Sequence, residues 1–349
     1  MIDISLLKTI CELPGAPGFE KKIRDFILEK ARPLVDEISI DNLGNVIAVK
    51  YGKRNPGKKR VMVAAHMDEI GFIVTHIDED GFLRFHTLGG FDPKTLTAQR
   101  VIVHGKKDLI GVMGSKPIHV MTQEEKSKMP KLTDYFIDLG MDKKEVEQFI
   151  QVGDPITRER ELIEMGNCVN CKSIDNRVAV FILLETLKEL QEPAYDVYAT
   201  FTVQEEVGLR GALVSAHQIN PDFGIALDTT IAFDLPGAAA HEKITELGKG
   251  TAIKIMDAST ICDYRMVEFM KQTATRSKIK YQTEILTAGG TDTAGVQRMG
   301  KQGAIAGAIS IPTRHLHQVI EMANKEDVAA SIQLLKACLE ELDRYDWKH

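Results

Sequence analysis

No stretch of this 349-residue chain approaches the ~18 consecutive apolar residues of a membrane-spanning helix. Its amino terminus, Met-Ile-Asp-Ile-Ser-Leu-Leu-Lys, carries acidic and polar residues where an export signal would carry an apolar run. Cysteine is scarce: Cys11, Cys168, Cys171, Cys262 and Cys338 are odd in number and scattered, a poor disulfide framework. Together these absences predict a soluble protein of a reducing cytoplasm. A surplus of positive charge is missing too. Fifty acidic against 44 basic residues leave a net charge of −6, so no general field recruits nucleic acid or an anionic membrane. Fixed-period repeats and low-complexity segments are absent, which argues against solenoids and propellers.

What remains is the composition of an ordinary globular protein, 44% hydrophobic and 27% charged, too long for one comfortable core. Helical spacing of Leu6, Leu7, Ile10 and Cys11 stops at Pro14-Gly15-Ala16-Pro17-Gly18, and a second helix follows over 20–31. A hairpin is expected over 38–50 around Asn42-Leu43-Gly44-Asn45, then a buried strand over 61–65. From about Gly71 to Asn167 short β-rich runs alternate with turns and lack amphipathic helices, and the charged stretch 123–131 reads as a mobile loop. Beyond Asn167 the α/β alternation returns: helices over 177–190, 212–219, 264–275 and 325–342, strands over 197–203 and 223–227, and an apolar run over 304–311. The simplest topology is an α/β domain interrupted by a β module, with residues 1–71 and 167–349 forming the first and 72–166 the second.

Several apolar runs are followed by residues that bind metals. The run 61–65 leads to His66 and Asp68, 197–203 to Glu205 and Glu206, 223–227 to Asp228, and 304–311 to His315 and His317. In open α/β sheets the ligand crevice lies outside the carboxyl ends of the strands, so these residues can converge on one site. Nitrogen and oxygen donors without thiolate suit zinc, cobalt or manganese. Asp175, in Ser173-Ile174-Asp175-Asn176-Arg177, opens a helix, and taken alone it reads first as an N-cap.

Five motifs, Ala65-His66-Met67-Asp68-Glu69-Ile70-Gly71, Ser173 to Arg177, Val203-Gln204-Glu205-Glu206-Val207-Gly208, Ala226-Leu227-Asp228 and Pro312-Thr313-Arg314-His315-Leu316-His317, resemble in order and spacing those of the M42 family of metallo-aminopeptidases. Pro14 to Glu20 and Gly289-Gly290-Thr291-Asp292 resemble it too, so the likeness covers essentially the whole chain. It implies a zinc-peptidase type of α/β catalytic domain, with a mixed sheet and helices on both faces, interrupted by a small β-barrel-like dimerisation domain. It further implies homo-oligomers, dimers through the insert and tetrahedral dodecamers. It makes His66, Asp175 and Asp228 ligands of one divalent ion, and Asp175, Glu206 and His317 ligands of a second. Glu205 becomes the general base, and Asp68 the residue that orients His66. The implied function is removal of N-terminal residues from short peptides. Other two-metal amidohydrolases, deacylases or carboxypeptidases, have similar ligands and form the alternative. A glycoside hydrolase fits less well, because it needs two facing carboxyls and no obligatory metal. The chain departs from the family's habit at Ser173, Thr293-Ala294, His315 and Gln318-Val319, none of which removes a ligand.

Other motifs read as structure. Cys168-Val169-Asn170-Cys171 has no second pair, so it is read as small buried side chains at a domain junction. The glycine-rich 289–292 stretch lacks the lysine of a phosphate loop and is read as a substrate-facing turn. Gly114-Ser115-Lys116-Pro117-Ile118-His119 resembles a recurring stretch of the family's insert; His119 is read first as structural, with reach toward a neighbouring subunit's site as the lesser alternative.

Overall fold

The computed structural model describes residues 2–53, 55 and 57–349. One mixed sheet runs, from edge to edge, through Glu37–Ile40, Val46–Lys50, Asp196–Thr202, Arg60–His66, Phe223–Ile231, Ile305–Arg314, Glu321–Asn324, Cys168–Cys171 and Ile163–Met165. Thr251–Met256 and Tyr281–Ile285 branch from it beside Ile305–Arg314. Asp196–Thr202, Arg60–His66, Phe223–Ile231 and Ile305–Arg314 are mutually parallel. Their carboxyl ends therefore face one way, and their near-continuous burial is what helices packed on a parallel sheet demand. The long buried helix Ile174–Glu189 packs on this sheet, against Ile4–Glu12 and Lys325–Glu341.

Six strands, Gly71–Ile77, Leu83–Leu88, Arg100–His104, Asp108–Ser115, Tyr135–Asp138 and Pro155–Arg158, close into an antiparallel barrel. The barrel has its own core, including Phe72, Val74, Val101, Ile137 and Ile156. Closure pairs every strand on both sides and leaves no open edge.

Several expectations need correction. The charged stretch from Gln123 holds a short helix, Gln123–Ser127, because Thr122 and Glu125 form a capping box that satisfies its first amide groups. A second helix inside the β-rich region, Lys143–Phe149, starts on the equivalent box of Asp142 and Glu145. The strand Ile163–Met165, placed in the insert by a boundary at 166, instead extends the large sheet by pairing with Cys168–Cys171, while Leu162 joins the large core. The strand from Phe223 runs on to Ile231 because its register with Ile305–Arg314 continues to Thr313, so Asp228 lies within the strand. Strands Thr251–Met256 and Tyr281–Ile285 and helix Thr293–Arg298 had no counterpart in the sequence reading. Among the described residues no helix is long and apolar enough to cross a membrane.

Candidate metal centre

The parallel strands deliver their chemistry at one end of the sheet. His66 is the last residue of its strand and stands beside Thr202 in the ladder, so the chain just past Thr202 places Glu205 and Glu206 close to it. Asp228 arrives on the neighbouring strand, and His317 on the turn after Arg314. Three sets of donor atoms each lie within 4.8 Å of one another: His66, Asp175 and Asp228; Asp175, Glu206 and His317; and His66, Glu205 and Glu206. Asp175 faces both histidines, with Oδ1 3.3 Å from His66 Nε2 and Oδ2 3.4 Å from His317 Nε2. Asp228 Oδ1 is 3.7 Å from His66 Nε2, and Glu206 Oε2 is 3.6 Å from His317 Nε2.

Asp175 makes no helix cap: Ser173 occupies the N-cap position, and Asp175 Oδ1 is buried without a hydrogen-bond partner. Asp68 lies beneath the cluster. Its Oδ1 is 3.4 Å from His66 Nδ1 and accepts from the Glu205 amide, while Oδ2 accepts from the Glu206 amide. His315 joins none of the three sets, and His119 sits exposed on the barrel. Gly289, Gly290 and Thr291 line the cleft, whereas Asp292 turns inward and accepts a hydrogen bond from Thr202. Cys171 is buried, Cys168 half-buried, and all five cysteines are free thiols.

Three further holds on the cluster were not foreseen. Glu321, fully buried on Glu321–Asn324, accepts the Asp175 amide at 2.9 Å. The Gly90 carbonyl accepts from His317 Nδ1 at 2.9 Å, which leaves Nε2 facing the carboxylates. Gly89, at φ +97° and with no room for a Cβ against Ile70, lets the barrel's backbone approach so closely. The Asn176 side-chain Nδ2 donates to the Leu227 carbonyl at 2.9 Å, tying the Asp175 segment to the strand that carries Asp228. Hydrogen bonds to backbone atoms leave no trace in a sequence motif, which is why these were missed.

The donors fit divalent cations. Asp175 Oδ1 and Glu206 Oε1 are buried and lack hydrogen-bond partners. Burial, with the neighbouring acids, pushes Glu206 up to about 8 and Glu205 well above the usual carboxylate range. Burial opposes a charge on His317, yet Asp175 and Glu206 raise it to about 10. Four carboxylates around two histidines make this cluster a candidate site for divalent cations. The site opens into a cleft of about 560 Å³ that includes Lys254 and Asp257.

The fold and the cluster together define an α/β enzyme with a candidate divalent-cation centre at the carboxyl ends of its parallel strands. Residues 44–334 match the family described as M42 glutamyl aminopeptidase, and the chain belongs to that family of peptide hydrolases. A putative aminopeptidase of Acetivibrio thermocellus is 40% identical over 95% of this chain and 96% of its own length. The solved aminopeptidase of Desulfurococcus kamchatkensis is 41% identical with a TM-score of 0.92, covering 97% of this chain and 94% of that one. The TET1 peptidase of Pyrococcus horikoshii, whose structure is described as assembling into a tetrahedron or a large octahedral shell, is 31% identical with a TM-score of 0.86 over 97% and 99%.

Proposed function

We propose that this chain is a dinuclear metal-dependent aminopeptidase that removes N-terminal residues from short peptides. The observation that carries the reading is the two-sided Asp175, one oxygen toward each histidine. His66, Asp175 and Asp228 would hold one cation, and Asp175, Glu206 and His317 the other, with zinc, cobalt or manganese suited to such donors. Bound there, the cations would polarise the scissile carbonyl and lower the pKa of a water from about 15.7 toward neutrality. Glu205 lies outside the two sets assigned here to the cations, though it shares a third with His66 and Glu206, and it stands 3.8 Å from His66 Nε2. It takes the proton from the attacking water and returns it to the leaving amine. Asp68 keeps the imidazole of His66 oriented and fixes the Glu205-Glu206 backbone.

The cleft favours an aminopeptidase over a carboxypeptidase. Acidic groups crowd it, and Lys254 is the only lysine or arginine lining it among the described residues, so a substrate's terminal carboxylate finds no anchor where a free α-ammonium is drawn in. A deacylase would not need that ammonium. Leucine p-nitroanilide and its N-acetyl derivative separate the two: the first is expected to be hydrolysed and the second not. Exhaustive chelation is expected to abolish the activity, and zinc, cobalt or manganese to restore it. Equal turnover of the blocked substrate, or activity that survives complete metal removal, sinks the reading.

The barrel serves in this reading as the dimerisation module of a homo-oligomer, extending to a dodecamer. Its exposed Ile110, Ile118, Val120 and Met129 give it apolar surface to cover. Five free thiols suit a reducing cytoplasm as the site of action.

A further inference from the structure

The cleft that holds the metal cluster also has apolar lining from Leu209, Ile231, Leu286 and Leu316, and two charged groups outside the cluster, Lys254 and Asp257. Lys254 is 1% exposed. Its ammonium donates to Glu284 Oε1 at 2.7 Å and lies 3.3 Å from Asp257 Oδ2. The pairing is built into the sheet, because Lys254 and Glu284 are direct register partners on adjacent parallel strands. Both carboxylates are fixed in turn. Glu284 Oε1 accepts from Thr230 Oγ1, and Asp257 accepts from Ser259, Thr260 and Thr291.

We infer that this enzyme removes neutral aliphatic N-terminal residues in preference to acidic ones, because the only ammonium lining its cleft among the described residues is already neutralised by two buried carboxylates. The inference rests on the aminopeptidase reading and narrows its substrate class away from the glutamyl specificity that the family's description carries. A glutamate or aspartate side chain entering the cleft needs an unpaired cation. Capturing Lys254 would strip Glu284 of its partner in a buried setting, and an uncompensated buried charge is strongly unfavourable. Lys254, Glu284 and Asp257 together carry one negative charge in excess, which repels a further anion. A leucine or methionine side chain meets none of these penalties and gains contact with the four apolar walls.

The test uses the metal-loaded enzyme with the p-nitroanilides of leucine, methionine, glutamate and aspartate. The expected kcat/KM for leucine exceeds that for glutamate by at least about tenfold. Glutamate turned over as fast as leucine, or faster, overturns the inference while leaving the aminopeptidase reading intact. No hydrolysis of any of the four removes the aminopeptidase reading itself. A second arm asks whether Lys254 is the cause. Glu284→Gln keeps an oxygen for Thr230 and removes one of the two neutralising charges. It is expected to raise the glutamate-to-leucine ratio by about tenfold, and an unchanged ratio in the folded variant overturns the assignment to Lys254.

Discussion

Two buried polar clusters meet on the segment from Lys172 to Arg177, and they are built on opposite principles. On one side Glu69, fully buried, accepts Lys172 Nζ at 2.7 Å, the Ser173 hydroxyl and the Gly15 amide, with Arg177 3.6 Å away. Lys172 also reaches the Cys11 carbonyl, and Arg177 the carbonyls of Ile10 and Leu13. Two cations surround one carboxylate, and Glu69 is the more acidic for it: burial alone would raise its pKa, but Lys172 and Arg177 bring it below 4.5. On the other side Asp175, Glu205, Glu206 and Asp228 crowd two histidines, with carboxylate oxygens left unpartnered. The first cluster has its charges paired by protein groups, with only Arg177 Nε and Nη2 lacking hydrogen-bond partners, and holds the helix against the first helix and its following loop. The second opens onto a cleft and, in the proposed function, receives cations and substrate. The difference separates buried charge that stabilises a fold from buried charge that needs something from outside.

The contrast can be broken most severely at its catalytic end. Glu205→Gln is nearly isosteric and leaves in place the two sets assigned to the cations in the proposed function. It is expected to lower kcat by about 10²–10⁴ while the purified protein retains its full metal content, measured by steady-state kinetics and elemental analysis. Loss of metal together with loss of turnover would make Glu205 a ligand rather than a base. The closed cluster responds in the other currency. Glu69→Ala strands Lys172 and Arg177 as buried cations and is expected to destabilise the fold by about 3–5 kcal/mol in urea unfolding. The pH dependence has a definite sign. Since the folded pKa of Glu69 is depressed, its contribution is complete above about 4.5 and is lost as pH falls through the lowered folded value, so the gap between wild type and Glu69→Gln should narrow on acidification. A gap that widens instead would mean that Glu69 is not held as the charged partner.

Much of this arrangement could be read before any coordinates. Apolar runs ending in His66, Glu205, Asp228 and His317 announced strands of a shared sheet, because a parallel sheet buried on both faces writes itself as uninterrupted apolar sequence. The hairpin over 38–50 and the terminal helices were legible from period and breakers. Asp175 was not: in one dimension a helix-opening aspartate is an N-cap, and only the family resemblance suggested another role. Lys254 and Glu284 were invisible for a related reason. Lys254 interrupts an apolar run, Glu284 sits in a largely polar one, and only their register across Thr251–Met256 and Tyr281–Ile285 makes both buriable. That is also why those two strands were missed. The helix Gln123–Ser127 was within reach, since Thr122 and Glu125 stand at capping-box spacing, but its charge obscured the signal.

The smallest effect lies where the barrel touches the open cluster. Glu321 holds the Asp175 amide from the sheet side, and Arg158, on the barrel strand Pro155–Arg158, is the nearby cation that favours its charged form against burial. The guanidinium of Arg158 is itself buried over the Phe91 ring, 5.7 Å from its centroid, with no hydrogen-bond partner for its three nitrogens. Groups that support a ligand from behind usually matter by 10–100-fold in metal affinity. Glu321→Ala, which removes the acceptor for the Asp175 amide, is expected to weaken metal retention by about that much in competition with a chelator. Glu321→Gln keeps an oxygen for the amide and loses only the charge facing Arg158, so its loss should stay below about tenfold. If the glutamine variant loses as much as the alanine variant, the charge toward the barrel, and not the hydrogen bond to Asp175, is what sets the ligand. The barrel would then tune the metal centre electrostatically across the domain junction, in addition to holding His317 through the Gly90 carbonyl.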